Sequence, residues 1–130
     1  MTGGRRLRLW TAAAAPAIAL SIAACGATPP QAPLAYAKKL DEATSGISTA
    51  CGEADQLHAF PGADRTDTIT LEATASSSAS KLAEVFARNP AWIYQGESVR
   101  KIVHDSAAML DACGLRRAEA QLLGATTRRR

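Results

Sequence analysis

Cysteine is the residue type whose number and positions say most about the chemistry of this 130-residue chain. The sequence has three: Cys25, which lies between small residues and a proline-rich segment, then Cys51 and Cys113. Neither Cys51 nor Cys113 has the close cysteine or histidine neighbours of a zinc site. An odd number of cysteines would leave an exported chain with one free thiol, so each of the three needs an explanation.

The first 24 residues have the layout of an export signal. Three arginines within residues 5–8 precede an uncharged run over residues 9–24, as a positive n-region precedes an apolar h-region. A permanent transmembrane helix is the weaker interpretation, because such helices need roughly 20 apolar residues and Pro16 interrupts this run. Twin-arginine export stays open as an alternative, although Arg8 stands where those signals prefer an apolar residue.

The signal ends in the sequence IAAC, which is Ile22, Ala23, Ala24 and Cys25. An aliphatic residue, two small residues and a cysteine resemble the lipobox of bacterial lipoproteins. The resemblance implies cleavage between Ala24 and Cys25, a diacylglycerol thioether on Cys25, and a lipid anchor in the cell membrane on its extracytoplasmic face. It covers residues 1–25 and names no family for the remainder.

Removal of the signal changes the charge of the chain. The formal net charge of +3 disappears, because the chain from Cys25 onward has 12 basic and 12 acidic side chains. A basic footprint for nucleic acid is therefore missing. The Arg128–Arg130 run is the one concentrated charge, and it is interpreted either as a solvated tail or as a contact with anionic headgroups or wall polymer.

The sequence after the signal predicts an all-α fold. Residues 25–33 form a proline-rich linker that would extend roughly 25 Å as polyproline II. Residues 34–124 follow as a small three-helix bundle with a short fourth segment, and residues 125–130 are a basic tail. Helices are predicted over residues 36–60, 68–87 and 98–113, with the fourth segment over 115–124.

Apolar residues recur at alternating steps of three and four within these predicted helices, as expected for bundle seams. Ile69, Leu71 and Ala73 also alternate as a strand would, but the length of the element favours a helix. The predicted seam residues are Tyr36, Leu40, Ala43, Ile47, Ala50, Ala54 and Leu57; Leu71, Ala75, Ser78, Leu82 and Val85; Val99, Ile102, Val103, Ser106, Leu110 and Cys113; and Leu115, Ala118 and Leu122.

The seams allow a geometric test of cysteine pairing. With Cys25 modified, Cys51 and Cys113 are an even pair in an oxidising compartment, where disulfides persist. At about 1.5 Å per residue, Cys51 lies roughly 27 Å along the first helix and Cys113 roughly 22 Å along the third. These helices run parallel in an up-down-up bundle, so we expect a Cys51–Cys113 disulfide.

Residues suited to catalysis or to a cofactor are sparse. His58 is expected in the last turn of the first helix, and His104 on the polar flank of the third, with Asp105 pointing elsewhere. A metal or haem site would need both histidines and Met109 to turn inward, so no metal, cofactor or enzymatic activity is predicted. Solvated helix faces explain the paired carboxylates, which are Asp41 with Glu42, Glu53 with Asp55, and Asp64 with Asp67.

Two function classes remain. The leading hypothesis is a membrane-tethered binding or accessory module that contacts an envelope protein or a wall component. Trp92 and Tyr94 either form an exposed anchor for such a partner or cap the open end of the bundle. The alternative is a small-ligand carrier with an apolar cavity lined by the alanines and serines of the second helix.

Overall fold

The computed structural model describes residues 29–60 and 65–127. Its elements, in chain order, are α1 (Leu34–Ala59), α2 (Arg65–Arg88), β1 (Ile93–Tyr94), β2 (Glu97–Ser98), α3 (Val99–Ala112) and α4 (Arg116–Thr127). The predicted all-α bundle is confirmed, and the short segment expected to fold back is a fourth helix. The predicted signal-peptide helix and Cys25 lie outside the described residues. No helix in the described ranges combines the length and apolarity needed to cross a bilayer.

α1 begins directly after Pro33, whose carbonyl oxygen accepts a hydrogen bond from the Ala37 N–H at 2.8 Å. It ends before Phe60, whose N–H bonds the Leu57 carbonyl at 3.2 Å. The predicted seam is confirmed, with Tyr36 and Leu57 half-buried at its two ends. Between them lie the buried residues of the helix: Leu40, Ala43, Ile47, Ala50, Cys51 and Ala54.

α2 is helical throughout, including the stretch from Ile69 to Ala73 where the sequence also allowed a strand. It runs antiparallel to α1, and surface ion pairs at Lys39–Glu84 (2.6 Å) and Lys81–Glu42 (3.3 Å) connect the two helices. Its predicted seam is buried. Ala79 and Phe86 join that seam in the core.

Small side chains let α1 and α2 approach closely. Ala75 and Ala79 are fully buried, and Ser78 is 8% exposed. A Cβ atom added to Gly46 of α1 would overlap the hydroxyl oxygen of Ser78. The low-bulk sequence of α2 therefore serves helix packing at this contact, and the glycine is needed there because a neighbouring side chain occupies its open face.

A short hairpin that the sequence did not predict connects α2 to α3. Ile93 pairs with Ser98 and Tyr94 with Glu97 in an antiparallel ladder. Gln95 and Gly96 both have positive φ angles, 50° and 81°, as the two central residues of a type I′ turn require. The Ser98 hydroxyl then accepts from the Lys101 N–H at 3.1 Å and caps the N-terminus of α3.

α3 ends at Ala112, one residue before the predicted Cys113, and Gly114 follows as the predicted stop. Gly114 has a φ angle of 82°, which favours glycine. α4 then runs back along α2, where the Arg117 N–H donates to the Glu72 carboxylate at 3.1 Å and Gln121 bonds Ser80. Because α4 continues through Gly124 to Thr127, the predicted end at residue 124 is three residues too early.

The four helices alternate in direction, so the bundle has two distinct ends. The hairpin end contains the start of α1, the end of α2, the hairpin, the start of α3 and the end of α4. The far end contains the end of α1, the start of α2 and the α3–α4 turn. One continuous core fills the space between them, and its largest fully buried side chains are Leu40, Ile47, Leu82, Leu110, Leu122, Val85 and Val99.

Candidate functional site

The predicted disulfide between α1 and α3 is confirmed. Cys51 and Cys113 are bonded, with 5.4 Å between their Cα atoms, and their residues are 6% and 4% exposed. The helices run parallel, so Cys51, two turns before the end of α1, is level with Cys113 at the end of α3. The buried bond closes a loop of 62 residues and ties the first helix to the second half of the chain.

The two histidines lie far apart. His58 is exposed near the far end, and its Cε1 would be 3.2 Å from a Cβ atom placed on Gly114. The His104 side chain is 85% exposed on α3, and its Nδ1 lies 3.6 Å from Oδ1 of Asp105. The expectation that Asp105 points away from His104 is therefore wrong, because the polar atoms of these two exposed side chains approach each other.

These side chains do not converge on a metal site. Met109 is 44% exposed on α3, so it does not turn inward as a ligand in such a site would. Within the described ranges, no group of three or more His, Cys, Asp or Glu side chains could hold a metal ion.

Most of the carboxylates singled out from the sequence lie on exposed helix surfaces. Glu42 pairs with Lys81, and Asp41 accepts a hydrogen bond from the Tyr94 hydroxyl at 3.3 Å. Glu53, Asp55 and Asp67 are also exposed, and Asp64 lies outside the described residues.

Four ionisable groups near the hairpin end have shifted pKa values, and one of them is Lys101, whose pKa is raised by its hydrogen bonds to Asp105 and Glu97. The hydrogen bond and charge of Lys39 lower the pKa of Glu84. Lys101 does the same to the pKa of Asp105, again first through a hydrogen bond. Burial raises the pKa of Tyr94, and the nearby Asp41 carboxylate adds to that increase. These shifts keep the carboxylates ionised and the phenol neutral, which suits surface ion pairs and a structural hydrogen bond.

Trp92 and Tyr94, the residues predicted to contact a partner or to cap the bundle, lie together at the hairpin end. Both are half-buried and pack against the core. The Trp92 ring lies 5.0 Å from the Tyr36 ring, measured between centroids, at an angle of 38°. The guanidinium of Arg88 lies 5.8 Å from the centroid of Tyr36. The rings therefore cover the core and also leave part of their surface exposed beside a cation.

The proline-rich linker reaches this same end and docks there. The Ile93 N–H donates to the Pro30 carbonyl at 3.0 Å, and the Ala32 N–H donates to the Ile93 carbonyl at 2.9 Å. Gln31 thereby pairs with Ile93 in a parallel bridge beside β1. The segment from Cys25 to the docked Pro30 is five Cα–Cα steps long. It can span at most about 18 Å, so the folded body begins closer to Cys25 than the roughly 25 Å predicted for the whole linker.

Three sizeable surface clefts lie among the described residues. A cleft of about 420 Å³ at the hairpin end has an apolar floor and a basic rim, and its lining includes Phe86, Pro90, Arg100, Val103, His104 and Leu123. A second, of about 350 Å³, lies beneath the hairpin between α1 and α3. A third, of about 330 Å³, lies between α1 and α2 at the far end, beside Phe60.

Comparisons with protein-family models, with curated proteins and with solved structures found no match to this chain.

Sequence reasoning missed the docking of the linker and the grouping of Tyr36, Arg88 and Trp92. A turn signal was present, since Gln95–Gly96 separates two short β-prone segments. The pairing of Gln31 with Ile93 has no comparable signal, because it joins backbone groups about 60 residues apart.

Proposed function

We propose that this protein is an exported, lipid-anchored bacterial lipoprotein whose helical body acts as a binding or accessory module at the cell envelope. The observation that carries the proposal is the Cys51–Cys113 disulfide. It accounts for two of the three cysteines and leaves Cys25, the cysteine of the lipobox-like sequence, for lipidation. A buried disulfide also suits a protein that folds in an oxidising compartment.

The docked linker supports a role at the membrane surface. If Cys25 carries two acyl chains, its anchoring is stable, because each buried methylene contributes about 0.8 kcal/mol. The four residues between Cys25 and Pro30 then hold the hairpin end near the bilayer. The far end, with its cleft and the 69% exposed Phe60, is left for an envelope protein or a wall component.

Intact-mass analysis of the membrane fraction tests the anchor. We expect a mature N-terminus at Cys25 that carries a diacylglycerol mass. Cys25→Ser should abolish this modification, whereas the control pair Cys51→Ser with Cys113→Ser should retain it, because those residues are far from the processing site. An unmodified Cys25, or an N-terminus at Gly26 or later, would show that the resemblance to a lipobox is misleading.

A small-ligand carrier is the second candidate, and the 420 Å³ cleft favours it. That volume is within the range of about 300–1,000 Å³ typical of ligand sites. Its apolar lining comes from Phe86, Val103 and Leu123. Among the small residues of α2 that were expected to line a cavity, Ser78 instead lies against Gly46 of α1, and Ala75 and Ala79 are buried in the core.

Native mass spectrometry of protein purified from its own cells separates the two candidates. A retained small molecule supports the carrier. A protein that retains no small molecule and co-purifies with an envelope protein supports the module.

A further inference from the structure

The two ends of the bundle differ in charge. At the hairpin end, the described segments 29–40, 82–105 and 121–127 contain five basic side chains and three carboxylates. At the far end, segments 52–60, 65–71 and 109–119 contain three basic side chains and five carboxylates. The bundle is therefore basic at the end where the linker docks.

Several of these cations are available to a ligand. Glu97 and Asp105 both pair with Lys101, at 3.0 and 2.8 Å. Among the described residues, neither Arg88 nor Arg100 has a guanidinium nitrogen within 4 Å of a carboxylate oxygen, although the charge of Arg88 helps to lower the pKa of Glu84. Both guanidinium groups instead lie over aromatic rings, Arg88 over Tyr36 and Arg100 over Phe86 at 5.7 Å.

Apolar and amphipathic side chains accompany the cations. Leu34, the first residue of α1, is 87% exposed. Trp92 and Tyr94 are half-buried in the adjoining hairpin, with the Tyr36 ring against Trp92. Tryptophan and tyrosine beside lysine and arginine are typical of protein surfaces that lie at a membrane–water interface.

We propose that the hairpin end lies directly on an anionic phospholipid bilayer, with Arg88 and Arg100 facing the headgroups and Leu34 and Trp92 at their level. This inference rests on the proposed lipid anchor, because Cys25 can lie no more than about 18 Å from the docked Pro30. The orientation presents the acidic far end and its cleft to the space beyond the membrane.

Trp92 provides the measurement, since it is the only tryptophan in the chain from Cys25 onward. The lipidated protein is purified from membranes and reconstituted into vesicles of phosphatidylcholine, with or without phosphatidylglycerol. We expect acyl-brominated lipids to quench Trp92, and phosphatidylglycerol to increase the quenching and to protect Trp92 from aqueous acrylamide. If acrylamide quenches Trp92 in both kinds of vesicle as strongly as it does in the protein without vesicles, the orientation is wrong.

Charge variants test which end makes the contact. Arg88→Gln with Arg100→Gln should remove the dependence on phosphatidylglycerol. The matched control, Arg116→Gln with Arg117→Gln, makes the same charge change at the far end and should leave the quenching unchanged. Equal losses in both pairs would mean that net charge alone is responsible, and would overturn the proposal.

The mass of the same sample separates failure of the anchor from failure of the orientation. If Cys25 carries lipid and Trp92 stays exposed to water, the orientation fails and the anchor stands. If Cys25 carries no lipid, sedimentation of the chain with phosphatidylglycerol vesicles decides. If the double variant Arg88→Gln with Arg100→Gln then binds about 25-fold more weakly than the unchanged protein, about fivefold for each arginine, the membrane-binding surface stands without the anchor. Absence of binding overturns both.

Discussion

The contact between Gly46 in α1 and Ser78 in α2 makes a quantitative prediction about helix packing. A Cβ atom on Gly46 would overlap the Ser78 hydroxyl oxygen and would lie 3.2 Å from the Ser78 Cβ. The hydroxyl can rotate away, but the Cβ of Ser78 cannot move unless the helices separate. Gly46→Ala should therefore strain the α1–α2 interface.

Gly52, six residues later in α1, provides the matched control. It is exposed, and a Cβ atom placed there has nothing within 4 Å. Gly52→Ala should raise the free energy of unfolding by about 1 kcal/mol, because alanine is the better helix former. Gly46→Ala has the same propensity gain but an overpacking cost of about 1–3 kcal/mol, so it should be less stable than Gly52→Ala by that amount.

Urea unfolding of the disulfide-bonded protein, followed by far-UV circular dichroism, measures both variants. Ser78→Gly should relieve the strain, so Gly46→Ala should be less damaging in the Ser78→Gly background than in the native one. If Gly46→Ala stabilises the protein as much as Gly52→Ala does, the helices are not in close contact at Gly46 and the reasoning fails.

Three further perturbations test the core, the disulfide and the hairpin end. Cys51→Ala with Cys113→Ala should lower the free energy of unfolding by up to about 4 kcal/mol, as expected for a loop of this length; in urea unfolding, a loss below about 1 kcal/mol would contradict this. Leu110→Ala, at a fully buried position, should cost about 2–5 kcal/mol in the same assay, and a near-native midpoint would be inconsistent with the core. Tyr94 should titrate above the usual tyrosine pKa of about 10, so its contribution to stability is present below pH 10 and is lost as the pH rises through its raised pKa. Asp41→Asn should lower the pKa of Tyr94 in an ultraviolet titration, and an unchanged value would exclude Asp41 as a cause.

The helices and much of the core could be predicted from the sequence, because both depend on local periodicity. The seam from Leu40 to Ala54 is buried as predicted, and Gly114 ends α3 where its positive φ angle is needed. The disulfide was also predictable, since the lengths of two parallel helices determine whether cysteines on them are level. Lipidation at Cys25 remains a prediction from the sequence.

The composition of the hairpin end depends on tertiary structure. The pairing of Gln31 with Ile93, and the contacts of Trp92 and Arg88 with Tyr36, join residues about 50–60 positions apart. No repeat or local spacing encodes such contacts, because they arise when antiparallel helices bring chain segments to the same end. The sequence by itself determined which residues form helices and which cysteines could bond. Only the packed bundle decided that the linker, the aromatic rings, Arg88 and Arg100 share one surface.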